Sequence, residues 1–137
     1  MCDGFELDPR LQRDTLFIVD GALCQLRLMD DARFPWLVLV PRIVGASEWI
    51  DLDGAKQRLL LAEINQAGRA LRALGPCDKL NIGALGNIVR QLHIHVVARR
   101  DNDAAWPGPV WGSGPAVAYP EAEREHRLNI LRDAFLS

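Results

Sequence analysis

Residues 51–76 set the architecture of this chain. Leu52, Leu59, Leu60, Ile64, Ala67, Leu71 and Leu74 recur near helical period, Asp51 or Asp53 stands ready as a cap, and Gly75-Pro76 stops the run. The pattern predicts one amphipathic helix of roughly five or six turns. Its apolar stripe must be covered, and what surrounds it is strand-forming. Thr15-Leu-Phe-Ile-Val19 is rich in strand formers, and Asp20-Gly21 is a hairpin signal leading to a return strand from about Leu23 to Met29. Trp36-Leu-Val-Leu-Val40, ended by Pro41, is a short apolar run of the kind buried on both faces. After the helix, Lys79–Ala84 and residues 91–99 read as a fourth and a fifth strand. A helix between two antiparallel groups of strands predicts an α+β domain: a five-stranded antiparallel sheet with the long helix packed on it. Asp8-Pro9 opens a short helix or turn over 8–14, and Pro120 starts a C-terminal helix to about Phe135, with Leu128, Leu131 and Phe135 on one stripe.

Length and composition narrow the function classes. At 137 residues the chain is expected to be a single domain, 1–137, with enough bulk for its own core. A net charge of −2 gives no global attraction to nucleic acid or anionic membrane, so neither is an expected partner. Any anion site must come from a local basic cluster. The three cysteines, Cys2, Cys24 and Cys77, lie far apart without metal spacing and read as reduced thiols of a cytoplasmic protein. The N-terminus is acidic and lacks the apolar core of a signal peptide, and no apolar run approaches the about 18 residues of a membrane span.

The chemistry is concentrated in Gln91-Leu92-His93-Ile94-His95-Val96-Val97. On a strand, alternate side chains share a face, so Gln91, His93 and His95 are expected in one row, about 6–7 Å from one to the next. Three readings suit such a row. Two histidines at alternate positions can chelate an ion, but a catalytic zinc wants about three protein ligands. The third histidine, His126, falls among charged residues of the C-terminal helix and reads as a surface residue. A solvated polar row without function is the second reading. The third is nucleophilic catalysis. A neutral imidazole attacks phosphorus well, and a second one beside it can donate to a phosphate oxygen or leaving group. Arg90, Arg99, Arg100 and Arg42 stand at strand ends. Gly83 and Gly86 permit close backbone approach, and Asn81 and Asn87 supply amide donors.

The run closely resembles the histidine-triad (HIT) signature, His-φ-His-φ-His-φ-φ with φ apolar. The resemblance extends upstream through Asn81-x-Gly83-Ala-Leu-Gly86-Asn87 and looks like the bacterial branch described as diadenosine-polyphosphate hydrolase-like. It covers most of the chain: strongest over 81–100, topological before that. It implies a HIT-like fold and a hydrolase or transferase acting at the α-phosphorus of a nucleoside polyphosphate or phosphoramidate. His93 would attack, forming a nucleotidyl-histidine that water releases as a nucleoside monophosphate. His95 would contact the phosphate, and Asn87 would hold a phosphate or bridging oxygen, with Asn81 and Gly86 beside it. Asp30, or its neighbour Asp31, would bind the ribose hydroxyls, although both also suit a turn. The resemblance further implies no metal or other cofactor, and a homodimer whose sheets combine. One departure stands out: the first triad position is Gln91, which can donate to a phosphate oxygen but cannot transfer a proton. The alternatives are a nucleotide-binding protein of the same fold with little turnover, and an HxH metalloprotein. Trp106 and Trp111 lie in a Pro/Gly-rich loop over 101–115 and are expected to pack on a partner subunit rather than cover the nucleotide.

Overall fold

The computed structural model describes residues 4–136. Cys2 therefore lies outside the described residues. Helix α1 spans Pro9–Asp14, with Asp8 as its cap, accepting from the Arg10 N–H, and proline at its first position. Strands β1 (Thr15–Asp20), β2 (Cys24–Met29) and β3 (Trp36–Pro41) form an antiparallel meander. A single 3₁₀ turn at Trp49–Asp51 leads into the long helix α2, Gly54–Ala73, capped by the Asp53 side chain on the Lys56 N–H. Strands β4 (Lys79–Gly83) and β5 (Ile94–Arg99) follow, and α3, Glu121–Leu136, closes the described chain. The sheet order is β1-β2-β3-β5-β4, antiparallel throughout, so β5 is interior and β4 is an edge. This is the expected α+β architecture.

The two faces of the sheet carry separate cores. Ile94, Val96 and Ala98 of β5 pack with Leu37 and Leu39 of β3 and with Leu60, Ile64, Ala67 and Leu71 of α2. Leu128 and Leu131 of α3 complete that layer. The opposite face buries Trp36, Val38, Val40 and Val97 with Leu11 of α1, Phe34 and Val110. Strand β3 is buried at every position, as a continuous apolar run predicts. The Glu63 carboxylate of α2 accepts from the backbone N–H groups of Leu23 and Cys24, which docks the β1–β2 connection onto the helix. Among the described residues no helix is long and apolar enough to cross a membrane.

One boundary corrects the sequence reading in a way that matters for the site. Strand β5 begins at Ile94, not at 91. Its ladder partners end there: Leu39 pairs with Ile94, and Gly83 pairs with His95. Beyond that point the Leu92 N–H turns to the Ala46 carbonyl. Residues 91–93 are thus irregular chain entering the strand, and Gln91 is released from the expected row of three.

Candidate active site

The alternation that buries Ile94 and Val96 under α2 sends His95 to the opposite face, and His93 follows it. The two imidazoles stand 4.9 Å apart, centroid to centroid, and nearly perpendicular at 72°. Both are largely buried. They form one wall of a cavity of about 490 Å³, a size in the range of small-molecule sites. Leu11, Met29, Trp36, Val110 and Trp111 give it apolar walls. Gly86, Asn87 and Ile88 border it from the β4–β5 connection, and Arg10, Arg13, Asp14, Asp31 and Arg33 supply charge.

The hydrogen bonds fix the tautomer of each histidine. His93 Nδ1 lies 2.7 Å from the Gln91 carbonyl oxygen. A carbonyl only accepts, so Nδ1 carries a proton, and in the neutral ring Nε2 keeps the lone pair. The Trp36 indole N–H donates to His95 Nδ1 at 3.0 Å. An indole only donates, so His95 accepts at Nδ1 and presents Nε2–H. Burial, and then any positive charge on His93, pulls the His95 pKa down to about 3, so this ring is neutral at physiological pH. One imidazole therefore offers a nucleophilic lone pair and its neighbour offers a neutral N–H donor.

Trp36 owes its place to register. Trp36 pairs with Val97 and Val38 with His95, so the indole is the diagonal cross-strand neighbour of the His95 ring. Their centroids are 5.6 Å apart. Trp111 packs edge-on against His95 at 5.4 Å and against Trp36 at 6.3 Å, so the three rings form a cluster. Trp111 of this loop lines the cavity. Gly83 explains part of this: a Cβ there would stand 3.4 Å from the Trp111 ring. The Trp111 indole N–H is buried without a hydrogen-bond partner among the described residues. Trp106 is instead half exposed, with the Arg99 guanidinium over its ring.

The other sequence candidates divide. Gly86 and Asn87 line the cavity beside His93, and Gly86 adopts a φ of +71° that favours glycine. Asn81 does not reach it: its side-chain oxygen accepts from buried Arg99, which is also paired with Asp103. Asp30 is turned away and accepts from the Tyr119 N–H, whereas Asp31 lines the cavity, paired with Arg33 at 2.8 Å. Arg42 ties down the β1–β2 turn through Asp20 and the Gly21 carbonyl. Gln91 uses both ends of its amide on the N-terminal segment, accepting from the Asp8 N–H and donating to the Glu6 carbonyl. His126 is exposed on α3. No group of three or more His, Cys, Asp or Glu gathers as a metal site among the described residues. Sequence reasoning missed Trp36, Arg10, Arg13 and Arg33. The one available signal was the placement of Trp36 at the head of an otherwise aliphatic strand.

This is an α+β domain in which interior strand β5 and the chain entering it deliver two histidines to a cavity of small-molecule size. The chain belongs to the histidine-triad family: the HIT domain model matches residues 10–102. Its structure superposes on that of a histidine triad protein from Bradyrhizobium japonicum with a TM-score of 0.93, at 46% identity, covering 96% of this chain and 98% of the other. A histidine triad protein from Sinorhizobium meliloti gives 0.92 at 46% identity (96% and 97% covered). One from Marinobacter aquaeolei gives 0.93 at 39% identity (96% of both). Among curated proteins none matches the chain.

Proposed function

We propose that this protein cleaves a nucleoside polyphosphate or phosphoramidate at the α-phosphorus through a nucleotidyl-His93 intermediate. The observation that carries the reading is the opposed tautomers of the two histidines. His93 Nε2 attacks phosphorus, the N–P bond forms, and the bond to the leaving group breaks. Water then attacks the nucleotidyl-histidine, the N–P bond breaks, and a nucleoside monophosphate departs. The His95 Nε2–H donates to a non-bridging phosphate oxygen as negative charge builds there. Asn87 and the backbone at Gly86 border the same space and serve as further phosphate contacts. The leaving group takes its proton from solvent, since His95 is neutral and serves as a hydrogen-bond donor rather than an acid.

The ribose falls to Asp31, since Asp30 faces Tyr119. No step calls on a metal. We further propose that the protein is a cytoplasmic homodimer joined along β4. Among the described residues no strand pairs with the outer side of that edge, Ile82 is exposed on it, and an open groove runs between it and Ile64, Gly68 and Arg72 of α2. Ile82→Asp is expected to give monomers by light scattering.

The test is incubation with diadenosine polyphosphate and with an adenosine phosphoramidate. The expected result is release of AMP by the wild type and none by His93→Ala. Tight nucleotide binding with no product in the wild type would move the protein to the nucleotide-binding class. A stoichiometric metal ion held by His93 and His95 would overturn the reading.

A further inference from the structure

Gln91 occupies the first triad position yet makes no use of it as a cavity contact. The Glu6 carbonyl and the Asp8 N–H flank one residue and face the same side of the chain. The Gln91 amide fits between them as a strand partner would, donating to the first at 2.8 Å and accepting from the second at 2.9 Å. Asp8 is the cap of α1: its carboxylate accepts from the Arg10 N–H and holds the Arg10 guanidinium. Arg10 in turn donates to the Ile88 carbonyl in the β4–β5 connection at 3.1 Å. Helix α1 carries Arg10, Leu11, Arg13 and Asp14 into the cavity wall. A helix of six residues has little stability of its own and depends on such attachments. The same Gln91, through its backbone carbonyl, receives the Nδ1 proton of His93.

We propose that Gln91 is a positioning residue: its side chain fastens α1 in place as the cavity wall and so steadies the carbonyl that orients His93. This rests on the functional reading above and gives the first triad residue a role other than phosphate contact. Glutamine suits the task because a primary amide presents a donor and an acceptor side by side. An imidazole has its two nitrogens on divergent edges of the ring and cannot serve the Glu6 carbonyl and the Asp8 N–H together. Gln91→His, which completes the triad in sequence, therefore weakens the site.

The experiment compares wild type with Gln91→His, Gln91→Ala and the isosteric Gln91→Glu, which keeps the acceptor and loses the donor. Three readouts are taken: AMP affinity by calorimetry, amide exchange over residues 6–14, and the single-turnover rate at saturating adenosine phosphoramidate. The expected result for Gln91→His and Gln91→Ala is AMP binding weakened about tenfold, as suits two lost hydrogen bonds. The Asp8 amide loses protection in both, and the single-turnover rate at saturation falls along with the affinity, because His93 is held less steadily. Gln91→Glu falls between them and wild type. A fall in the saturated rate with AMP affinity and exchange unchanged would make Gln91 a contact of the reacting group and overturn the proposal. Unchanged values in all three readouts would overturn it equally. A wild type that neither binds AMP nor turns over would count against the functional reading itself. The loss of Asp8 protection in the variants is scored apart from that outcome.

Discussion

The Trp36 indole N–H donates to Nδ1 of His95 across 3.0 Å of buried space, and this bond sets the electrical character of the site. It leaves His95 one free nitrogen, and that nitrogen carries a proton. The ring beside it, His93, is held in the complementary sense by the Gln91 carbonyl. Neither arrangement needs a charged imidazole. In the proposed mechanism the pair presents phosphorus with a lone pair and a phosphate oxygen with a neutral donor.

Trp36→Phe keeps most of the apolar contact and removes the donor. His95 Nδ1 is then buried without a partner, at a cost of about 1–3 kcal/mol. The ring also becomes free to switch tautomer, presenting a lone pair to the phosphate oxygen. Turnover is expected to fall by at least tenfold with nucleotide affinity less affected. Denaturant titration and nitrogen-15 NMR of the histidine rings check the two halves of this statement.

The pH dependence of stability follows from the same burial. His95 has its pKa pulled down to about 3 by burial first and by His93 second, from an ordinary 6.5. The folded state thus resists a proton that the unfolded chain accepts. Stability is fully present above about pH 6.5 and is lost as pH falls toward 3. Asp103, held at about 2 chiefly by its Arg99 hydrogen bonds, adds a loss that begins only below about 3.8. The midpoint of thermal unfolding should therefore decline from pH 6.5 downward in the wild type. In His95→Asn it should be flat until near pH 4.

Arg99 and Asp103 form a nearly buried pair at 2.7 Å, with side chains 2% and 6% exposed. Asp103 also accepts from the N–H groups of Arg100, Ala105 and Trp106, so it organises the start of the loop that carries Trp111. Asp103→Ala strands the Arg99 charge and is expected to cost about 3–5 kcal/mol. Thermal unfolding measures the loss, and exchange over residues 101–111 locates it.

Trp111→Phe probes the unpaired indole N–H. Removing a buried donor that has no partner should leave stability unchanged or raise it slightly, whereas Trp111→Ala opens the cavity and costs about 3–5 kcal/mol. A clear loss of stability in Trp111→Phe would mean that the indole N–H has a partner in solution.

Most of the fold was readable because its signals are local. The Asp8-Pro9 start of α1, the Asp53 cap and the Gly75-Pro76 stop of α2, and the alternation through Ile94, Val96 and Ala98 each rest on a few neighbouring residues. What the sequence concealed depends on contacts distant in the chain. Trp36 reaches His95 only through the β3–β5 register. Gln91 reaches Glu6 and Asp8 across more than eighty residues. Its place in an alternating run suggested a strand position, but the ladder ends before it. Asp30 and Asp31 are adjacent turn formers, and only the path of the chain decides that Asp31 enters the cavity. Asn81 has the right chemistry for a phosphate contact and is claimed instead by Arg99.

The central claim is that His93 becomes covalently bonded to the nucleotide. It is tested most directly by rapid acid-free quenching of the wild type with an adenosine phosphoramidate, followed by peptide mass spectrometry. The account predicts one adenylyl group on the peptide containing His93, none in His93→Ala, and its decay as AMP appears. AMP release undiminished in His93→Ala, or an adduct on another residue, would contradict it.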